Sequence, residues 1–257
     1  MTRTHLTIDL NADMGESPEL LASGADAELM KYITSANIAC GGHAGDAETM
    51  RATVELAIAN GVAAGAHPSY PDRENFGRNA MEMTIEALER SVYEQVSALA
   101  KIAAEVGTTI THVKPHGALY HACNQHAEVA RVVATATLRC NPKLILVGQA
   151  NSRALVWWFL MGAQVASEAF ADRAYEQDGS LRKRGLPGAV LESAEMAVAQ
   201  ALAITREHRV RTASGAELAI QSDTICLHSD TPGAATFARQ MRTALEAAGV
   251  IVRSLAR

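Results

Sequence analysis

The stretch Leu6-Thr7-Ile8-Asp9-Leu10-Asn11-Ala12-Asp13 alternates residue by residue. At the two-residue period of a strand, Thr7, Asp9, Asn11 and Asp13 share one face, and Leu6, Ile8, Leu10 and Ala12 the other. The run around residues 109–113 behaves alike and puts His112, Lys114 and His116 on one face. A central strand of an open parallel sheet has helices on both sides and reads apolar throughout. A polar face that recurs from strand to strand asks instead for a barrel whose interior leads to a site.

Working outward, seven β-type runs alternate with segments of helical period, at residues 6–10, 36–40, 62–66, 109–113, 144–148, 164–169 and 224–227. Seven such units could wind into an open sheet; the polar faces favour closure. The expected fold class is α/β, a seven-stranded parallel (β/α) barrel, TIM-like, in one domain over residues 1–257. The clearest helix starts at the N-cap Thr84, carries Leu88, Val92, Val96, Leu99, Ala103 and Val106 as a stripe, and stops at Gly107. A closing helix is expected to open at Thr231 and Pro232 and to run through Phe237, Met241 and Leu245 to Gly249. Residues 175–190, rich in Gly, Arg and Lys, read as a long loop that can act as a lid. Trp157 and Trp158 read as helix packing, with a subunit contact as the alternative.

Composition narrows the function classes. Of 257 residues, 48% are hydrophobic, enough for a core that needs no staples. The 23 basic and 28 acidic side chains give a net charge of −5 without long blocks of one sign, which argues against nonspecific nucleic-acid binding. The longest strongly apolar stretch, residues 154–161, falls far short of the roughly 20 residues of a membrane-spanning helix. Asp9, Asp13 and Glu16 interrupt the segment where an export signal would be apolar, so the expected compartment is the cytoplasm. Cys40, Cys123, Cys140 and Cys226 form no CxxC pair and read as reduced thiols.

Polar clusters follow nearly every expected strand, where barrels carry their active sites. They are Asn11-Ala12-Asp13-Met14-Gly15-Glu16, the segment from Asn37 through Gly41-Gly42-His43 to Asp46, Gly65-Ala66-His67-Pro68-Ser69-Tyr70-Pro71-Asp72, Val113-Lys114-Pro115-His116-Gly117-Ala118-Leu119-Tyr120, Phe170-Ala171-Asp172-Arg173-Ala174-Tyr175 and His228-Ser229-Asp230. Asp46 also precedes a helical run, so N-cap and site residue are both open readings for it. His5, His121, His126 and His208 lie outside these clusters and are set aside.

This ordered set resembles the LamB/YcsF family, the A subunits of bacterial ATP-dependent 5-oxoprolinase, from residue 9 to residue 230. Two positions depart from the family pattern: Gly42, where Phe is usual, and Ser229, where Gly is usual. Loss of the Phe is expected to open space beside His43. The resemblance implies a barrel of the glycoside hydrolase/deacetylase type, opening of the cyclic amide 5-oxo-L-proline to L-glutamate with ATP as co-substrate, and partner subunits B and C. Such chemistry needs a base for water, donors for oxyanion charge and cations for a phosphoryl group. We expect Asp13, His43 and His67 as the base or divalent-metal group, Lys114 and Arg173 as cations, and His116, Asp172, His228 and Asp230 as the orienting or proton-transfer set. Asn11, Asn37, Asp46, Tyr120 and Glu168 are expected to hold substrate. No GxxxxGK[ST] segment is present, so ATP binds by another geometry or on a partner. The competing readings are a metal-dependent amide hydrolase of the deacetylase kind and a noncatalytic substrate-binding subunit.

Overall fold

The computed structural model describes residues 6–183, 185–191, 193–227 and 233–256. Its frame is a ring of parallel strands: β1 (Thr7–Met14), β2 (Ser35–Ala39), β3 (Ala63–His67), β4 (His112–Val113), β5 (Ile145–Gln149) and β6 (Gln164–Phe170) follow one another around it. After an antiparallel hairpin of β7 (Arg209–Arg211) and β8 (Glu217–Ala219), β9 (Thr224–Leu227) pairs with both β6 and β1 and closes the seven-stranded barrel. The two residues of β10 (Ile251–Val252) pair beside Thr7 and Ile8, below the stretch of β1 that β9 covers. Around the ring stand α1 (Pro18–Ala22), α2 (Ala25–Met30), α3 (Ala47–Asn60), α4 (Ile85–Glu105), α5 (Gly117–Gln125), α6 (Ala127–Cys140), α7 (Arg153–Leu160), α8 (Ala194–Leu202), which runs on into a π-helical turn, and α9 (Ala234–Ala247).

All seven expected barrel strands form. β1 continues to Met14 because its alternation does not stop at residue 10, and each further inward polar residue finds a partner inside the ring. Leu10, Ile38, Ala66, Val113, Leu146 and Ile225 on the strands are buried in one apolar cluster with Val54, Val96, Leu99, Val133, Met241 and Leu245 from the helices. Full burial of a side chain of this size contributes about 1.5–3 kcal/mol relative to exposure.

Helix α4 matches its reading: the Thr84 hydroxyl accepts the Ala87 N–H, and Leu88, Val92, Val96, Leu99 and Ala103 are its buried stripe. Helix α9 follows Gly233; Thr231 and Pro232, the expected cap and first-turn residues, lie outside the described residues. Trp158 is buried and donates its indole N–H to the Ala130 carbonyl, which is the packing reading of that pair. No described helix is long and apolar enough to cross a membrane.

Candidate active site

The barrel interior is polar from base to mouth, and the alternation of β1 builds it. At the base, Asp9 accepts hydrogen bonds from Thr34, Ser35 and Thr224 at 2.6, 2.7 and 2.5 Å. One layer up, Asn11 donates to Glu168 at 3.0 Å and to Thr224 at 2.7 Å, and accepts from Asn37 at 2.7 Å. Asn37 also donates to Asp13 at 2.9 Å, while its carbonyl accepts from His112 Nε2 at 2.9 Å. At the mouth the Lys114 ammonium lies 3.0 Å from Asp13 Oδ1, 2.8 Å from Glu168 Oε1, 3.3 Å from Asn11 Oδ1 and 3.1 Å from Cys226 Sγ. Tyr120, from α5, donates its hydroxyl to Glu168 Oε2 at 2.7 Å. Six of the expected residues are thus one connected network.

Beside it stand the histidines. His67 Nδ1 is 2.6 Å from the Lys114 carbonyl and its Nε2 is 3.2 Å from Asp13 Oδ2. His116 Nε2 is 3.0 Å from the Phe76 carbonyl, and its Nδ1 is 3.0 Å from His67 Nε2. His43 stacks on His116 with ring centroids 3.7 Å apart, and its Nε2 is 2.9 Å from Glu16 Oε1. Glu16 reaches this point because the chain turns back at Gly15, whose φ is +68° and whose N–H is held by the buried Asp26. A Cβ at position 15 would stand 2.7 Å from Thr53 Oγ1, so the turn requires glycine on two counts.

Burial and charge sort the protonation states. Burial alone would raise Asp13, but His67 and Lys114 outweigh it and hold the carboxyl well below the usual range. Glu16 is raised, by burial and then by Asp13. Burial lowers His43 to about 2 and His116 to about 3, so both rings are neutral. In His67 the charge and hydrogen bond of Asp13 overcome burial and raise the ring. Lys114 is likewise raised despite burial, because Asp13, Cys226 and Glu168 surround it. A low carboxyl beside a raised one is an arrangement that separates proton acceptor from proton holder.

The cluster opens onto a cleft of about 1310 Å³ that Asp13, Glu16, His67, Lys114, His116, Tyr120 and Arg173 help to line, with residues 178–183 of the expected lid as one wall. Several expectations change in detail. Lys114 has three N–H groups and four acceptors around it, so it acts as the counter-ion of Asp13 and Glu168 rather than as a cation waiting for an anion. Arg173 donates to the carbonyls of Ala189 and Arg182 and so braces the lid while lining the cleft. Asp172 is buried beside it but does not line the cleft.

Asp46 is a correction: it is exposed, caps α3 through the Thr49 N–H in a capping box, and takes no part in the cleft. The expected metal set overlaps the cluster in two residues. Among the described residues, donor atoms within 4.8 Å of one another belong to Glu16, His43, His67 and His116, whereas Asp13 gives Oδ1 to Lys114 and Asn37 and turns Oδ2 toward His67. Nor does Gly42 leave space beside His43: a Cβ there would stand 2.4 Å from Gln95 Oε1 and from Ser69 Oγ, because Gln95 fills the room. His228 and Asp230 lie outside the described residues. Sequence reasoning undervalued Glu16 and missed Phe76, whose carbonyl holds His116 and whose φ is +55°, a strained value for a bulky residue.

Comparison with known proteins agrees with this architecture. A lactam utilization protein from Thermus thermophilus superposes with a TM-score of 0.91 at 40% identity, over 97% of this chain and 100% of that one. A T48 deacetylase matches with a TM-score of 0.52 at 16% identity, over 97% and 88% of the two chains. A family 4 carbohydrate esterase from Streptomyces lividans matches with a TM-score of 0.50 at 13% identity, over 97% and 93%. These last two share the barrel fold with this chain, and at such identity only that. The LamB/YcsF family model matches residues 8–257, and on that near-complete span the chain belongs to the LamB/YcsF family.

Proposed function

We propose that this chain is the A subunit of a cytoplasmic ATP-dependent 5-oxoprolinase and opens 5-oxo-L-proline to L-glutamate together with subunits B and C. The observation that carries the reading is Asp13 at the cleft floor, kept ionised by Lys114 and His67 in a chain 40% identical to a lactam utilization protein. An unstrained five-membered lactam resists water because its amide is resonance-stabilised, and phosphorylation of its oxygen by ATP makes the ring carbon a better electrophile. Asp13 then accepts the proton of an attacking water, the C–N bond breaks, and the proton passes to the ring nitrogen. A second water hydrolyses the resulting acyl phosphate, which leaves L-glutamate, ADP and phosphate. Glu168, anchored by Tyr120 and Asn11, fixes Lys114 and through it the direction of Asp13. With no P-loop in the chain, the nucleotide is held at a surface that the partner subunits complete.

The test is glutamate release from 5-oxoproline with ATP, comparing this chain alone, subunits B and C alone, and all three. Release from the full mixture only, with ADP formed in step, is the expected result. A second reading, a metal-dependent amide hydrolase, is favoured by the Glu16, His43, His67 and His116 cluster. It takes over if the full mixture is silent while the chain alone cleaves acetylated amines after a divalent metal is added.

A further inference from the structure

We infer that Glu16, His67 and His116, with His43 as a weaker fourth donor, form a binding site for one divalent ion of the zinc and cobalt class. The inference does not depend on the substrate being a lactam or on ATP. It starts from the outer sides of two rings. His67 Nδ1 faces the Lys114 carbonyl and His116 Nε2 faces the Phe76 carbonyl. A carbonyl only accepts, so each ring directs an N–H there and turns its other nitrogen inward. The two inner nitrogens, His67 Nε2 and His116 Nδ1, face each other at 3.0 Å, and His67 Nε2 also faces Asp13 Oδ2 at 3.2 Å. Electron-rich atoms this close need positive charge among them, which a proton on His67 Nε2 supplies when no ion is bound and the ion supplies when one is. Carbonyl oxygens behind the rings are also the usual outer partners of metal-binding histidines, since they fix which nitrogen is offered.

The spacing suits such a centre. Donors about 2.0–2.1 Å from a tetrahedral ion stand roughly 3.3–3.4 Å from one another. Glu16 Oε1 lies 3.4 Å from His116 Nδ1, 3.9 Å from His67 Nε2 and 2.9 Å from His43 Nε2, values that bracket this figure. Three imidazoles and one carboxylate form a donor set for a borderline transition ion; magnesium and calcium prefer oxygen throughout. His43 is the weakest member: its Nδ1 is buried and has no hydrogen-bond partner among the described residues, and the ring is held by stacking on His116 and by an edge contact to Phe76. When bound, such an ion polarises a carbonyl oxygen and acidifies a water. Asp13, 3.2 Å from His67 and ion-paired to Lys114, stands beside the set as proton acceptor.

The test is direct binding to the full chain after chelator stripping. Titration with cobalt(II) is expected to give the visible absorption of a low-coordinate N/O site, to saturate at one ion per chain, and to be reversed by zinc but not by magnesium. His67→Ala and His116→Ala are expected to weaken cobalt affinity at least roughly 100-fold, His43→Ala less, and Asp46→Ala not at all. The milder Glu16→Gln and His116→Gln serve if the alanine variants unfold. Zinc-edge X-ray absorption of the wild-type chain is expected to show imidazole scattering. No spectral change at stoichiometric cobalt, unchanged affinity in the Glu16 and His116 variants, magnesium competing on equal terms, or a sulfur shell around zinc would each overturn the site.

Discussion

Lys114 shows how much of this site rests on one charge. Its ammonium lies between Asp13 and Glu168, at 3.0 and 2.8 Å, with 3% of its surface exposed. Lys114→Met removes the cation and leaves the buried Glu168 carboxylate and the partly buried Asp13 carboxylate without it. The expected cost is about 3–5 kcal/mol in urea unfolding, with part of it recovered when Glu168→Gln is added. A double variant no more stable than Lys114→Met would show that the ammonium does not act through that pair. At the other end of the barrel Asp9 offers a pH test. Burial pushes its carboxyl up to about 6 from the ordinary 3.8, so the folded chain holds the proton more tightly than the unfolded one. The stability from that difference is fully present below the ordinary value and is lost as pH rises through about 6. Asp9→Asn does not titrate and is therefore expected to gain on the wild type by up to about 3 kcal/mol between acid and mildly alkaline pH. Urea unfolding of both proteins at about pH 4.5 and about pH 8 measures the difference; a flat or falling one removes the assignment.

Among the elements, α4 links the scaffold to the site. Gln95 interrupts its apolar stripe between Val92 and Leu99, and its amide clamps the loop after β3 by accepting the Ser69 N–H and donating to the Ser69 carbonyl. The same amide fills the space next to Gly42, immediately before His43. Gly42→Ala is therefore expected to destabilise the fold by about 1–3 kcal/mol, and Gln95→Ala in the same chain to relieve the part due to the amide but not the part due to the equally close Ser69 hydroxyl. Thermal unfolding of the two single variants and the double variant gives the coupling; additive losses would refute the contact between positions 42 and 95. This scale also shows what could be read in advance. Period-two alternation in β1 exposed the polar interior, and polar strand ends together with the family resemblance pointed to Asp13, His43, His67, Lys114 and His116, which the structure brings into one cluster. Asp46 could not be resolved, because Asp46 and Thr49 form a local capping box with the same residue types a site would use. Glu16 was hidden because its position depends on the turn at Gly15, and Phe76 because its contribution is a backbone carbonyl. Gln95 did leave a signal: a polar residue on an otherwise apolar helical stripe needs a buried partner.

Across the whole molecule, stability is unevenly distributed, and the cleft lies at the boundary. The barrel strands are hydrogen-bonded on both sides and packed under helices. Residues 176–183 are tied instead by loop bonds, among them Glu176 N–H to the Ser180 carbonyl, Arg182 N–H to the Ala174 carbonyl, the Arg173 guanidinium to the Arg182 carbonyl, and Gln149, at the end of β5, donating to the Gly179 carbonyl at 2.8 Å. Gln149 is thus a strut that joins a rigid strand end to the wall of the cleft. Amides of residues 176–183 are expected to exchange with deuterium by local opening, well before those of β1 and β2, which exchange with global unfolding. Gln149→Ala is expected to speed exchange in 176–183 several-fold and to leave the barrel strands unchanged. In the assembled complex, 5-oxoproline with ATP is expected to slow exchange in that wall, because a ligand that fills the cleft stabilises the conformation it contacts. Hydrogen exchange read by mass spectrometry separates these outcomes by peptide. If 176–183 exchanged as slowly as β1, or if Gln149→Ala left it unaltered, the wall would be part of the rigid barrel, and substrate entry would require movement elsewhere around the cleft.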